Sequence, residues 1–198
     1  MGSAPASDDI YLRQTVQKAT KLVIAGHFAV GKTTFVRTLS EIKPLHTEEL
    51  MTQASAHVDD LAGVPDKATT TVAMDFGRLT LSDRLVLYLF GVPGQHRFTP
   101  LWRELARGAL GALVLADTRR LEQSFPVMDL LEERGLRYAV AINHFADAPT
   151  FDDAELREAL DLHPDTPLVT CDARDPASST RALISLVEYL HRSAQEHV

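Results

Sequence analysis

Gly26-His27-Phe28-Ala29-Val30-Gly31-Lys32-Thr33 sets two glycines, a lysine and a threonine at the spacing G-x-x-x-x-G-K-[ST]. That spacing has a chemical reason. Glycine at the first and sixth places lets the backbone wrap until successive N–H groups point inward at an anion, beside the positive end of a helix dipole. Lys32 can then reach the β- and γ-phosphates of a nucleoside triphosphate, and the Thr33 hydroxyl is a suitable oxygen ligand for Mg²⁺. A glycine-bearing strand-to-helix turn that holds nothing is the bland alternative.

The flanking residues argue against it. Residues 22–25, Leu-Val-Ile-Ala, form an apolar run of the length and composition of a buried strand. After Lys32, apolar Phe35, Val36 and Leu39 recur at helical spacing. Strand, loop and helix therefore stand in the order a phosphate-binding loop requires. Later runs repeat the alternation. Residues 71–79 and 84–90 read as two strands joined by a turn at Ser82-Asp83, and 112–116, 138–142 and 168–170 read as further strands. Residues 101–107, 121–134, 152–160 and 178–193 read as helices. Pro126 belongs to the first turn of its helix, Asp152 with Glu155 to a capping box, and Ser178 or Ser179 to the last N-cap. Residues 42–70 have no clean period, and a helical turn over 48–56 is the simplest expectation there. These elements predict a three-layer α/β fold of the P-loop type. Its sheet is expected to have six strands, mostly parallel with one antiparallel edge strand, flanked by about five helices. Residues 1–17 are expected to be a flexible N-terminal segment, and 18–198 one domain.

Composition narrows the function. The 198 residues carry a net charge of −7, which argues against broad binding to nucleic acid or anionic membranes. Cys171 is the single cysteine, expected as a small buried residue, and excludes an intramolecular disulfide. The eight histidines show no pair at metal-ligand spacing. With no apolar run of transmembrane length and no signal-peptide pattern, a cytoplasmic address is expected.

The order of these motifs resembles the Ras-like small GTPases from about residue 21 to 193. Thr71-Val-Ala-Met-Asp-Phe looks like the Thr-Ile-Gly-Val-Asp-Phe stretch of Rab-type proteins, though Thr69 and Thr70 adjoin Thr71 and leave its register open by one or two. Gly91-Val-Pro-Gly-Gln resembles the Asp-x-x-Gly-Gln of switch II, Asn143 the first residue of Asn-Lys-x-Asp, and Asp172-Ala-Arg174 the Ser-Ala-Lys companion. The sequence looks closer still to a bacterial subgroup related to gliding-motility polarity GTPases, whose members commonly work with Roadblock/LC7-type proteins. The resemblance implies GTP or GDP with Mg²⁺ as ligands. It implies nucleotide contacts from Gly26, His27, Phe28, Ala29, Val30, Gly31, Lys32, Thr33 and Thr34, from Gly94, from Asn143, His144 and Asp147, and from Asp172, Ala173 and Arg174. Thr33 and Thr71 would hold the metal, and Gln95 would orient the attacking water.

The departures bear on mechanism. Gly91 stands where an aspartate would support Mg²⁺, and Phe28 and Ala29 stand at loop positions that Ras-type proteins fill with glycine. His144 replaces the lysine that packs over the base. Ala146 holds the place of the guanine-reading aspartate, with Asp147 one residue later. Losing one charge-assisted hydrogen bond to the base costs about 1.5–3 kcal/mol, roughly tenfold to a hundredfold in affinity. Asn143 and Asp147 could instead cap their loop. Arg119-Arg120 reads as a solvated helix start, and Trp102 and Phe98 as core or as an exposed partner surface. Three functional classes stay open: a GTP-hydrolysing switch, a nucleotide-locked binding module, and an ATP-binding protein such as a kinase.

Overall fold

The computed structural model describes residues 16–43, 45–51, 70–92 and 99–195. The chain runs β1 (Lys18–Ala25), α1 (Lys32–Leu39), β2 (Leu45–Met51), β3 (Thr70–Ser82), β4 (Leu85–Gly91), α2 (Thr99–Ala106), β5 (Ala109–Ala116), α3 (Phe125–Glu132), β6 (Tyr138–Asn143), α4 (Asp153–Ala159), β7 (Leu168–Cys171) and α5 (Pro176–Gln195). A short 3-10 turn, Leu121–Ser124, leads into α3. The strands form one sheet in the order β2-β3-β4-β1-β5-β6-β7. β1 is parallel to β4 and β5, and β5-β6 and β6-β7 are also parallel. β3 runs antiparallel to both β2 and β4.

The central strands are apolar on both faces, so alternate residues feed two cores. Leu22, Ile24, Leu113, Leu115, Ala139 and Ala141 pack under α1 and α5. Val23, Ala25, Ala112, Val114, Val140 and Ile142 pack against α2, α3 and α4. This is the expected three-layer α/β architecture with a mostly parallel sheet and, among the described residues, five α-helices. Phe35 and Val36 bury the inner face of α1, which anchors the loop in front of it. Truncating a fully buried phenylalanine such as Phe35 costs about 3–5 kcal/mol. Trp102 is buried in the second core, which decides for it between core and partner surface, whereas Phe98 lies outside the described residues.

Two local expectations are corrected. Among the described residues the sheet carries seven strands, because residues 48–51 are not a helical turn but part of β2, with Glu48 opposite Ala73 and Met51 opposite Thr70. The segment Leu-His-Thr-Glu-Glu-Leu-Met has no alternation to announce a strand, and pairing with β3 supplies what local pattern lacks. β2 thereby becomes the edge and β3 the second strand, and 52–56 lie outside the described residues. Second, Asp175 rather than Ser178 or Ser179 caps α5: its carboxylate accepts from the N–H groups of Ala177 at 3.2 Å and Ser178 at 3.0 Å. Pro176 follows at the first helical position, where a missing N–H is harmless, and the two serines are buried within the first turn. Arg119 and Arg120 are exposed at the start of the 3-10 turn, as expected, and Arg119 is in addition paired with Asp117 and Asp147. The Asp152–Glu155 capping box and the place of Pro126 are as expected. Cys171 is buried. Of the N-terminal segment, residues 1–15 lie outside the described residues, and among the described residues no helix is long and apolar enough to cross a membrane.

Candidate functional site

β1 sits between β4 and β5, the point at which successive connections turn to opposite sides of the sheet. In open α/β sheets ligands bind outside the carboxyl ends of the strands at such a switch point. The loop 26–31 leaves β1 there. Gly26 and Gly31 hold φ of +133° and +107°, and Ala29 takes the left-handed region at +63°. A Cβ at Gly31 would lie 2.6 Å from the Asn143 Nδ2, so no other residue fits that position unaltered. No side chain caps the N-terminus of α1, which leaves its first N–H groups for an anion.

Lys32 folds back over the loop, its Nζ donating to the carbonyls of Gly26 at 2.8 Å and His27 at 2.6 Å. Burial pushes its ammonium down to about 8, while the Asp75 carboxylate pulls the other way. His27 is buried, with Nδ1 2.7 Å from the Phe28 carbonyl, and its Nε2 has no hydrogen-bond partner among the described residues. Burial lowers its pKa, so the neutral ring is favoured. The Phe28 ring is 69% exposed at the loop surface. Val30 is buried under the loop, and Thr34 is exposed on α1.

Asn143, at the end of β6, ties this loop to a second one. Its Nδ2 donates to the Val30 carbonyl at 2.9 Å, and its Oδ1 accepts from the Ala173 N–H at 2.9 Å. Asp172 and Arg174 flank Ala173 as a bidentate ion pair, Nε to Oδ1 at 2.9 Å and Nη2 to Oδ2 at 2.8 Å. That guanidinium holds the half-buried Asp172 carboxyl down at about 2. His144 donates its backbone N–H to the Cys171 carbonyl at 2.7 Å and exposes its ring. Three of the expected ligand groups, 26–34, 143–144 and 172–174, therefore converge.

Of the two expected metal ligands, Thr33 meets a carboxylate on a neighbouring strand. The Thr33 hydroxyl donates to Asp75 Oδ2, on β3. A side chain on Gly91 would begin 3.0 Å from the Asp75 Cβ and 3.3 Å from its Oδ2. Asp75, paired with Gly91 across the β3–β4 ladder, thus puts a carboxylate beside the position where Gly91 lacks one. Thr71 lies in β3 opposite Leu50, four residues before Asp75 and so roughly 13 Å from it along the strand. Gly94 and Gln95 lie outside the described residues.

Asp147 is exposed and paired, its Oδ1 accepting from Arg119 Nη1 at 2.8 Å. Arg119 also grips the buried Asp117 through Nε and Nη2, at 3.0 and 2.7 Å, and lies 4.1 Å from the centre of the Phe145 ring. Burial opposes ionisation of Asp117, but the Arg119 hydrogen bonds and charge hold its carboxyl below the usual range. The same guanidinium lowers Asp147. Sequence reasoning missed Asp75, Asp117 and Arg119 as site residues. A carboxylate directly after an apolar strand was the only signal for Asp117.

A parallel sheet with a phosphate loop at its switch point, and two further loops joined to it by Asn143, defines a P-loop nucleotide-binding fold of the G-domain kind. Residues 24–193 match the family described as conserved hypothetical ATP binding protein, and the chain belongs to that family. Over 158 residues it is 29% identical to the Mus musculus Ras and EF-hand domain-containing protein homolog, covering 75% of this chain but only 22% of that relative. Among solved structures, the G domain of the T. maritima FeoB iron transporter superposes with a TM-score of 0.60 at 21% identity, covering 87% of this chain and 99% of that one. The FeoB G domain from Methanococcus jannaschii gives 0.58 at 14% identity, covering 88% and 99%. The GMPPNP form of the T. maritima FeoB cytosolic domain gives 0.61 at 21% identity, covering 86% and 64%.

Proposed function

We propose that this chain is a guanine-nucleotide-binding switch that hydrolyses GTP slowly and acts through a protein partner. The observation that carries the nucleotide reading is the Asn143 bridge. It locks the phosphate loop to the 172–174 loop and so couples a phosphate cradle to a base-side wall. Lys32 would exchange its two carbonyl acceptors for β- and γ-phosphate oxygens, supplying charge where it develops during phosphoryl transfer. The oxygen donors of Thr33 and Asp75 suit a hard divalent cation, with Thr33 as ligand and Asp75 behind it. Mg²⁺, when bound, supplies neutralisation of the phosphate charge. Gln95 would orient the water, and on the resemblance Thr71 would join the site from β3.

Slow turnover follows from what the chain itself offers. An arginine delivered to the γ-phosphate is worth on the order of 10³ to 10⁵ in rate, and among the described residues Arg119 and Arg174 are engaged by carboxylates, which leaves Arg120 as the arginine acting on His27 of the loop. A partner supplying such charge, of the Roadblock/LC7 type on the resemblance or another class, would set the rate and the signal. The residues would work where GTP is plentiful, in the cytoplasm. The Arg119–Asp147 pair favours a second reading, in which the carboxylate serves the clamp rather than guanine and the ligand is ATP. Binding of labelled GDP and GTP to the wild type and to Lys32→Ala tests the site. Loss of binding in a variant that melts like wild type is expected, and retained affinity would contradict it.

A further inference from the structure

A second cleft, of about 590 Å³, opens at the other end of β6 and β7 from the site above. Arg137 stands just before β6, Arg157 in the last turn of α4, and Arg192 near the end of α5. All three line it, with His163, Asp165 and Tyr189 beside them. The volume falls in the range of small-molecule sites.

The charge of the wall is what sets this cleft apart. Acidic residues outnumber lysine and arginine in this chain by 27 to 20, and Arg107, Arg119 and Arg174 are paired with them. Among the described residues none of the three cleft arginines makes an ion pair with a carboxylate. Asp165, the one acid in the wall, lies 3.6 Å from His163. Arg157 is held in place by one donor, Nη1 to the Thr166 carbonyl at 3.0 Å, and Arg137 lies 5.9 Å from the Tyr189 ring centre. Each guanidinium keeps further N–H donors in its rigid fork. Three like charges around one opening repel unless an anion sits among them.

We infer that the Arg137–Arg157–Arg192 cleft binds a small phosphate-bearing molecule. Fork donors match phosphate oxygens bidentately, and a compact dianion or trianion is the ligand class that three arginines lining one cleft favour. A long acidic peptide is a poorer fit, because the wall offers little apolar surface beyond Tyr189 and two prolines to seat its side chains. The site is independent of the phosphate loop. β6 has six residues, so its two ends are roughly 17 Å apart, and one pyrophosphate cannot span both.

Calorimetric titration with inorganic pyrophosphate, with citrate as a non-phosphate trianion, tests the assignment. The wild type should bind two equivalents, Lys32→Ala one, and the Arg137→Ala/Arg192→Ala double variant one. In Lys32→Ala the Thr166 and Tyr189 amide resonances should shift on titration, and adding Arg192→Ala should weaken that binding at least tenfold. Melting curves and, for the double arginine variant, retained GDP binding show that each variant is folded. A folded Lys32→Ala protein that binds no pyrophosphate overturns the proposal, as does unchanged stoichiometry in the double variant. Citrate binding as tightly as pyrophosphate overturns the phosphate class. Lost GDP binding by wild type with the cleft still titrating would count against the guanine reading alone.

Discussion

Asp75 fills the space beside Gly91 that a side chain there would need. A Cβ at 91 would touch the Asp75 Cβ at 3.0 Å, and the Asp75 carboxylate accepts the hydroxyl of Thr33. A side chain at 91 would crowd Asp75 and a carboxylate there would add like-charge repulsion, so the glycine of β4 and the aspartate of β3 act together.

Exchanging the two residues tests that coupling. Asp75→Asn should weaken GTP binding roughly tenfold to a hundredfold in Mg²⁺, the worth of one or two charge-assisted contacts, and leave binding in EDTA almost unchanged. Gly91→Asp alone should lower the melting temperature, and Asp75→Gly/Gly91→Asp should recover Mg²⁺ dependence. A double variant worse than the sum of both singles would show that the two positions are not interchangeable.

Asn143→Ala removes two buried hydrogen bonds and strands the Val30 carbonyl and the Ala173 N–H. Denaturant unfolding should show a loss of roughly 2–4 kcal/mol, with nucleotide affinity falling in parallel. Asn143→Asp should not rescue it, because a carboxylate cannot donate to the Val30 carbonyl. Unchanged affinity in either variant would mean that the two loops do not act together.

Affinity should fall as pH rises above about 8. The Lys32 pKa is near that value in the unliganded protein, and a bound phosphate raises it, so binding takes up a proton above pH 8. The unliganded protein should move in the opposite direction. A lysine whose folded pKa lies below its unfolded value of 10.5 makes the fold more stable as pH rises from about 8 toward 10.5. Titrations of the wild type at pH 7.5, 8.5 and 9.5, with unfolding curves of wild type and Lys32→Met at the same pH values, isolate the effect; pH-independent affinity or a stability difference that stays flat with pH would refute it.

How much was legible in the sequence depended on distance along the chain. The phosphate loop was readable because its residues lie within eight positions and its glycines answer a local geometric demand. Asn143 was readable as a motif residue, but its bridge needed β1, β6 and β7 in register. Asp75 was not readable as a site residue, since it meets Thr33 from 42 positions away through a strand pairing that no local pattern encodes. The Arg119–Asp147 pair was not readable for the same reason: Asp147 lies 28 residues on, brought near by the β5–β6 pairing, although Arg119 also holds its near neighbour Asp117. β2 was missed because an edge strand built from polar residues takes its conformation from its neighbour.

Arg119 and Asp147 give the base-side prediction. If Asp147 reads guanine, Asp147→Asn should weaken GDP binding at least tenfold and preserve binding of xanthine nucleotide, whose altered base edge suits the amide. Arg119→Ala should then change guanine affinity too, because it releases that carboxylate. Unchanged GDP affinity in Asp147→Asn would make Asp147 a structural partner of Arg119 only.

Displacement of labelled GDP from freshly purified protein, by GTP and by ATP over the same concentration range with Mg²⁺ present, tests the central claim most directly. GTP should compete at least tenfold more effectively than ATP, the margin that one base-reading hydrogen bond supplies. Equal displacement by ATP would contradict the guanine reading, and failure to retain any nucleotide would contradict the switch itself.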